Sequence, residues 1–175
     1  MLVLAATGVL FGITGLTRSL AGREQPSETR ESLEAARIER GRHIVRIAGC
    51  NDCHTPGFMQ NPKVPEDQWL TGTAVGWRGP WGTSYPSNLR RHLAAWQDPA
   101  AWIQMVRSRE GLPPMPWPNL HAMTDEELTS VYAYIRSLPV IGEVMPAPVP
   151  PDQTPATPWL HMAPVMPAAG GETAR

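Results

Sequence analysis

The two cysteines of this chain lie in one short segment, GCNDCHTPG, at residues 49–57. Cys50 and Cys53 are separated by two residues, and His54 follows the second cysteine directly. Thiols and imidazoles bind metals, attach cofactors and form disulfides, so their concentration in one segment indicates a chemical site. The rest of the sequence decides which chemistry this site performs.

Three of the four chemistries that use such a cysteine pair lack support elsewhere in the sequence. A thioredoxin-like redox pair belongs to an α/β chain, which the pattern here does not predict. A disulfide across two intervening residues closes a very small ring and constrains little of the chain. A structural zinc site needs four Cys or His ligands. No second ligand pair is formed by the remaining histidines: His43, His92, His121 and His161.

The fourth chemistry is covalent attachment of haem, which the pattern Cys-x-x-Cys-His indicates directly. The thiols of Cys50 and Cys53 would form thioethers with the two vinyl groups of haem, and His54 would bind the iron. The second ring N–H of His54 is then expected to donate to a backbone carbonyl, which fixes the ring and tunes its basicity. We expect that carbonyl near Gly79 and Pro80.

A second axial ligand is expected well downstream, because an electron carrier gains from an iron with both axial positions filled. Met115 is the preferred candidate. It lies in GLPPMPWPN, where prolines on both sides restrict the backbone and would hold the sulfur in a fixed place. Other candidates are weaker, because they are expected to pack in helices, to be exposed, or to lie too close to the motif: Met105, Met123, His92, His121 and Met59.

The composition predicts a loop-rich chain that does not bind nucleic acid. Fifteen basic and 16 acidic side chains among 175 residues give a formal net charge of −1, so no strongly basic surface is indicated. The 20 prolines restrict regular structure, because proline lacks the N–H and clashes with the preceding helical turn. A chain with so many loops needs something besides its helices to fill its core.

Residues 1–21 are expected to form a cleaved signal peptide or, as an alternative, an N-terminal membrane anchor. Residues 2–16 are apolar, and Arg18 is the first charged residue. A helix of that length rises about 24 Å, which is short of the roughly 30 Å hydrocarbon core. SLA at residues 19–21 has the form of a cleavage site. We therefore expect a protein of the periplasm, or one anchored at the outer face of the cytoplasmic membrane, with a polar spacer at 22–30.

Periodicity and end signals predict three helices, at about residues 31–48, 99–110 and 125–138. Gly49 suits the end of the first helix. Asp98 is a suitable N-cap for the second helix. Thr124 and Glu127 form a capping box for the third.

The remaining segments show neither helical nor strand periodicity. Residues 55–97 are rich in Gly, Pro, Asn and Thr and are expected to be irregular loop. No segment predicts a strand. Residues 141–175 are proline-rich and are expected to be a tail, either disordered or wrapped over the surface.

With CNDCH near its start and the methionine of PPMPW before its last helix, the chain resembles the class I c-type cytochromes over residues 31–140. The resemblance implies an all-α, cytochrome c-like fold, with three main helices around one haem c. In that fold the first and last helices cross, which would place Gly41 opposite Tyr134. The long tail is not part of the family's pattern.

The segment GTSYPSNL at residues 82–89 is similar to a segment of cytochrome modules that serve bacterial membrane-associated dehydrogenases. This likeness implies one-electron transfer from a dehydrogenase-type donor to an oxidase or another cytochrome. It also implies that Tyr85, Asn88 and Arg90 lie near the haem propionates.

Two other functions stay open at the level of sequence. A haem enzyme or gas sensor would share the motif but have an open sixth coordination site, so ligation by Met115 is the discriminating feature. A secreted binding module without haem would have Cys50 and Cys53 merely bridged.

Overall fold

The structure, a computed structural model, describes residues 29–164. The predictions for residues 1–21, for most of the spacer and for the end of the tail lie outside the described residues. The described chain contains a 3-10 turn (Glu66–Gln68), six helices and three short strands: α1 (Arg30–Ile47), α2 (Cys50–His54), β1 (Gly76–Gly79), β2 (Gly82–Ser84), α3 (Leu89–Ala94), α4 (Pro99–Ser108), α5 (Trp117–Ala122), α6 (Asp125–Ser137) and β3 (Trp159–His161).

The packing of α1 against α6 is the most extensive contact between two elements of the described chain. Gly41 of α1 is buried where α6 passes, next to the backbone of Ser130 and the Cβ of Tyr134. The prediction that Gly41 lies opposite Tyr134 is therefore confirmed. A glycine in the middle of a helix costs about 1 kcal/mol relative to alanine, and here it permits a close approach of two helices.

The helix ends follow the sequence signals. The Thr124 hydroxyl oxygen accepts from the backbone N–H of Glu127 at 3.1 Å, and the Glu127 carboxylate accepts from the backbone N–H of Thr124 at 2.8 Å. These two bonds form the predicted capping box at the start of α6. At the start of α4, the Asp98 carboxylate accepts from two backbone N–H groups at 3.0 and 3.3 Å. Each cap satisfies donors that the first helical turn leaves free.

The hydrophobic core combines side chains of the longer helices with two residues before β1 and one residue of α3. Tyr134 and Leu128 of α6 are among its most deeply buried members, with 2% and 1% exposure. The core consists of Ile44, Val45, Trp69, Leu70, Leu93, Trp102, Val106, Leu128, Val131, Tyr134 and Ile135.

The prediction that residues 55–97 form irregular loop, with no strand in the chain, is wrong in part. β1 pairs with β2 in antiparallel fashion, with Trp77 opposite Ser84. β1 also pairs with β3 in parallel fashion, with Trp77 opposite Leu160. Strands of three or four residues are too short to show the alternation on which strand prediction depends.

The part of the proline-rich tail that the structure describes wraps over the surface. It leaves α6 at Pro139, passes over the segment before α3, and ends with β3 on the edge of the small sheet. The tail was expected to be either disordered or wrapped over the surface, and residues 141–164 are wrapped over the surface. Within residues 29–164, no helix combines the length and the apolar character needed to cross a bilayer.

Candidate functional site

The Cys-x-x-Cys-His motif forms a short helix of its own, α2, directly after α1. Gly49 separates the two helices and has a φ of +69°, a left-handed conformation that favours glycine. The sequence prediction that the first helix ends near Gly49 is thus confirmed. The turn directs Cys50, Cys53 and His54 towards one cavity, which all three residues line.

This cavity has a volume of about 1000 Å³, at the upper end of the range for cofactor sites. Four parts of the chain besides α2 form its walls: the segment that runs from β2 into α3, helix α4, the loop before α5, and helix α6. The tail segment 144–148 closes a further side. Most of the lining atoms are apolar, so the cavity suits a large apolar group with few polar substituents.

His54 is buried at 7% exposure, and its Nδ1 lies 2.7 Å from the backbone oxygen of Ser87. A carbonyl only accepts, so Nδ1 carries the proton and donates it, and Nε2 keeps its lone pair. Burial lowers the pKa of His54, although the bond to Ser87 acts in the opposite direction. The lowered pKa favours the neutral imidazole, which is the form that binds metals. The expected carbonyl near Gly79 and Pro80 was the wrong one, because Gly79 ends β1 and Pro80 begins the turn to β2.

Cys50 and Cys53 are free thiols. Burial raises the pKa of the Cys50 thiol to about 11, and it also raises the pKa of Cys53. Redox-active cysteine pairs have the opposite property, a lowered thiol pKa. A structural zinc site needs four ligands, and within residues 29–164 no group of three His, Cys, Asp or Glu side chains is placed to hold a metal ion.

Four methionines line the cavity: Met105, Met115, Met123 and Met145. Met105 and Met123 also pack against the hydrophobic core, as expected from their places near the helices. Met145 was missed, because it lies in the tail, where the sequence gives no periodic signal. Met145 reaches the cavity because the tail around it is bonded to the rest of the chain.

The loop that carries Met115 is tied at both ends. The Ser84 hydroxyl donates to the backbone oxygen of Pro113 at 2.5 Å. The backbone N–H of Trp117, at the start of α5, donates to the backbone oxygen of Met115 at 2.9 Å. A short loop held in this way limits the positions that the thioether of Met115 can take.

Of the remaining ligand candidates, His92 lines the cavity, whereas His121 and Met59 do not. His92 lines the cavity and is half-buried, and burial lowers its pKa. His121 is not among the described lining residues, and its Nε2 lies 3.2 Å from the backbone oxygen of Arg109. Met59 is 59% exposed and also lies outside the lining.

Of the three residues expected near the haem propionates, Tyr85 and Asn88 line the cavity. The expectation for Arg90 was wrong. Arg90 is 1% exposed, and its guanidinium donates to three backbone oxygens: Trp69 at 2.6 Å, Glu66 at 2.9 Å and Pro139 at 3.2 Å. It holds loops together behind the site.

The residues present fit a covalently attached haem. Two thiols and an imidazole whose Nε2 has no partner among the described residues face one apolar cavity of suitable size, and several thioethers lie in its walls. The indole N–H groups of Trp102 and Trp117 are buried in the cavity wall and have no acceptor among the described residues, so they offer two donors to an occupant. This donor set defines a haem protein of the c type.

The comparison with known families agrees. The model of the Cytochrome c family matches residues 38–139, which is more than half of the chain. The chain belongs to this family, and it is a class I c-type cytochrome. No curated protein and no solved structure matches it.

Family membership confirms several expectations from the sequence. It implies covalently bound haem c with its iron, and a function in haem-based electron transfer. The mostly helical fold agrees with a cytochrome c-like fold, although the described chain has six helices and a small sheet around its three longer helices. Residues 140–164 of the tail lie outside the matched part.

Proposed function

We propose that this protein carries single electrons from a dehydrogenase-type donor to a respiratory acceptor, an oxidase or another cytochrome, through one haem c with His54 and Met115 as axial ligands. Haem c supplies the Fe(III)/Fe(II) couple. The observation that carries the proposal is the orientation of His54, whose Nδ1 is engaged by Ser87 while Nε2 has no hydrogen-bond partner within residues 29–164.

The choice of Met115 is supported by what the other lining methionines do. Met105 and Met123 fill space against the core, so moving them to an iron would leave voids there. Met115 is partly buried and is not part of the core cluster. Prolines flank it on both sides, and hydrogen bonds from Ser84 and to Trp117 fix its loop. It can serve as a ligand without loss of packing.

The surroundings of the cavity support a carrier with a fairly positive reduction potential. An apolar lining disfavours the more highly charged ferric state, and a thioether ligand has the same effect. With a net charge of −1, long-range steering of partners should be weak. Docking is proposed to use small, transient contacts at the mouth of the cavity, as electron-transfer encounters do.

The proposed location is the periplasm or the outer face of the cytoplasmic membrane. Haem attachment to this motif takes place outside the bacterial cytoplasm, and residues 1–21 have the composition of a signal peptide or an anchor. The protein is proposed to act as a carrier that leaves substrates chemically unchanged, either alone or as a subunit of an oxidoreductase complex.

Haem attachment is tested by expression in a bacterial strain that can mature c-type cytochromes. The alkaline pyridine spectrum should show the c-type band in an amount of one haem per chain. The paired variant Cys50→Ala/Cys53→Ala should lose covalent haem on a denaturing gel. A full-length protein without the c-type band would overturn the proposal, including the electron-transfer role.

Ligation by Met115 is tested with the weak far-red absorption of the oxidised protein, which reports sulfur bound to iron. Met115→Ala should abolish this band and let carbon monoxide bind the reduced protein. Met59→Ala is the matched control, because Met59 is exposed and outside the cavity, and it should retain the band. A band that persists in Met115→Ala would assign the ligand to Met105, Met123 or Met145. Ready binding of carbon monoxide to the unmodified protein would favour the enzyme or sensor alternative.

A further inference from the structure

We infer that residues 140–164, which we call the strap, are a working part of the haem site: the strap forms one wall of the cavity and holds the segment that supports both proposed axial ligands. This inference rests on the proposed function, because it assigns a role towards the same haem. The strap lies beyond the part of the chain that the family model matches.

The first observation is that the strap contributes directly to the cavity. Five consecutive residues, 144–148, line it, and Met145 is half-buried there. A Cβ on Gly72 would lie 2.6 Å from Cγ of Met145, so the main body has a glycine at a point where the strap passes close to it. The backbone N–H of Gly72 also donates to the backbone oxygen of His54 at 2.8 Å. The strap therefore packs on Gly72, the residue that binds the backbone of His54.

The second observation is a set of side-chain bonds at the start of the strap. The Asn88 side-chain amide donates to the backbone oxygens of Ile141 at 2.7 Å and Glu143 at 3.2 Å. The Arg91 Nε donates to the backbone oxygen of Gly142 at 2.5 Å. Asn88 also caps α3 through its Oδ1, which accepts from the backbone N–H of Arg91 at 3.1 Å. One residue thus begins a helix and holds the strap.

The third observation is a backbone connection further along the strap. Thr83 and Val149 exchange two hydrogen bonds, at 2.8 and 2.9 Å. Gly82, with φ at +95°, allows this approach, because a Cβ there would lie 2.2 Å from the backbone oxygen of Val149. The Tyr85 hydroxyl and the Thr157 hydroxyl lie 2.8 Å apart. Beyond this point β3 joins the sheet through β1.

These anchors enclose the segment from Thr83 to Arg91, and the same segment contacts both His54 and the Met115 loop. Ser87 accepts the hydrogen bond from His54, and Ser84 donates to Pro113 in the Met115 loop. Three- or four-residue strands and a six-residue helix have little stability on their own. The strap supplies the additional bonds that keep this segment, and through it both ligands, in place.

The test uses the full-length protein with two variants that release the strap at different points. Val149→Pro removes the N–H that donates to Thr83. Asn88→Asp keeps an oxygen that can cap α3 but removes both donors to the strap. The control is Ala156→Pro, at an exposed strap position whose N–H makes no backbone hydrogen bond within the described residues and which, like Val149, follows a proline.

The readouts are imidazole binding to the oxidised protein, which requires the methionine to leave the iron, and the intensity of the far-red band. We expect imidazole to bind about tenfold more tightly to Val149→Pro and Asn88→Asp, a change of about 1.4 kcal/mol, with a weakened band. Ala156→Pro should match the unmodified protein. Equal imidazole affinity in all four proteins would overturn the role of the strap.

Hydrogen exchange of the unmodified protein gives a check that does not depend on the variants folding. The backbone N–H of Val149 should exchange slowly, because it is engaged by Thr83. Exchange as fast as at Ala156 would overturn the inference. The pyridine spectrum separates the two failures: no c-type band overturns the proposed function, whereas attached haem with unchanged imidazole affinity overturns only the strap.

Discussion

The Tyr134 hydroxyl donates a hydrogen bond to the Glu66 carboxylate at 2.8 Å, and so joins α6 to the 3-10 turn. The Nε of Arg42 in α1 lies 2.8 and 2.9 Å from the two oxygens of the same carboxylate. Three segments that are distant in sequence therefore meet at Glu66. Burial, followed by the bond to Glu66, raises the pKa of Tyr134 well above its usual value.

This arrangement predicts a loss of stability at alkaline pH. The unfolded chain releases the phenol proton near pH 10, whereas the native state retains it. The unfolded state then binds fewer protons, so the free energy of unfolding falls as the pH rises above about 10. Denaturant titrations between about pH 8 and about pH 11.5 should show this slope. Tyr134→Phe should flatten it, and Tyr132→Phe, which removes a hydroxyl bonded to Trp96, should not.

The contact of Gly41 with α6 predicts a large effect of a very small substitution. A Cβ at residue 41 would lie 1.9 Å from the backbone oxygen of Ser130 and 2.8 Å from the Cβ of Tyr134. Gly41→Ala should lower the free energy of unfolding by about 3 kcal/mol or more, because backbone must move to relieve the overlap. Ala36→Gly, at an exposed position of α1, should cost only about 1 kcal/mol. If Gly41→Ala were neutral or stabilising in denaturant titrations, the close packing would be wrong.

Arg107 of α4 predicts a remote effect on the proposed methionine ligand. Its guanidinium donates to the backbone oxygens of His121 and Met123, and to the Asp125 carboxylate at 2.8 Å. It therefore holds the end of α5 and the start of α6, next to the Met115 loop. Arg107→Gln should weaken the far-red band and cost about 1.5 to 3 kcal/mol of stability.

The control for this prediction is Arg136→Gln. Arg136 is exposed on α6 and makes no side-chain hydrogen bond within the described residues. Its loss should leave the band and the stability unchanged. An Arg107→Gln protein that kept a full far-red band while losing stability would limit Arg107 to a structural role.

The hydrogen bonds of the buried Arg90 predict that replacing its guanidinium lowers the free energy of unfolding. Arg90→Met would leave three backbone oxygens without their donor, and each buried acceptor that loses its partner costs about 1 to 3 kcal/mol. We expect a loss of at least about 3 kcal/mol in denaturant titrations. Arg91→Met, at an exposed position with one such bond, should cost less than about 1.5 kcal/mol. Equal losses in the two variants would contradict this account.

The parts of the fold that could be predicted were those with local signals. The capping box of Thr124 and Glu127, the N-cap Asp98 and the glycine after α1 depend only on residues within one helical turn. The five residues of the motif identified the site for the same reason. The position of Gly41 at the helix crossing was implied by the resemblance to class I c-type cytochromes, and the packing explanation that a glycine inside a helix requires agrees with it.

The parts that could not be predicted depend on contacts between distant segments. α3 has six residues and the strands three or four, which is too short for periodicity. The carbonyl that accepts from His54 belongs to Ser87 because Asn88 begins a helix there, and Asn88 is held in turn by the strap. Arg90 was expected at the haem, but its environment depends on Trp69 and Pro139, which lie far apart in the sequence.

The position of the strap in the chain has a consequence for maturation. The wall at residues 144–148 is separated from Cys50, Cys53 and His54 by most of the length of the domain, so it closes the cavity only by a contact of high sequence separation. During synthesis the motif emerges first, on a chain whose cavity still lacks that side. Both thiols are then open to a large planar ligand, and residues 144–148 close that side of the cavity later.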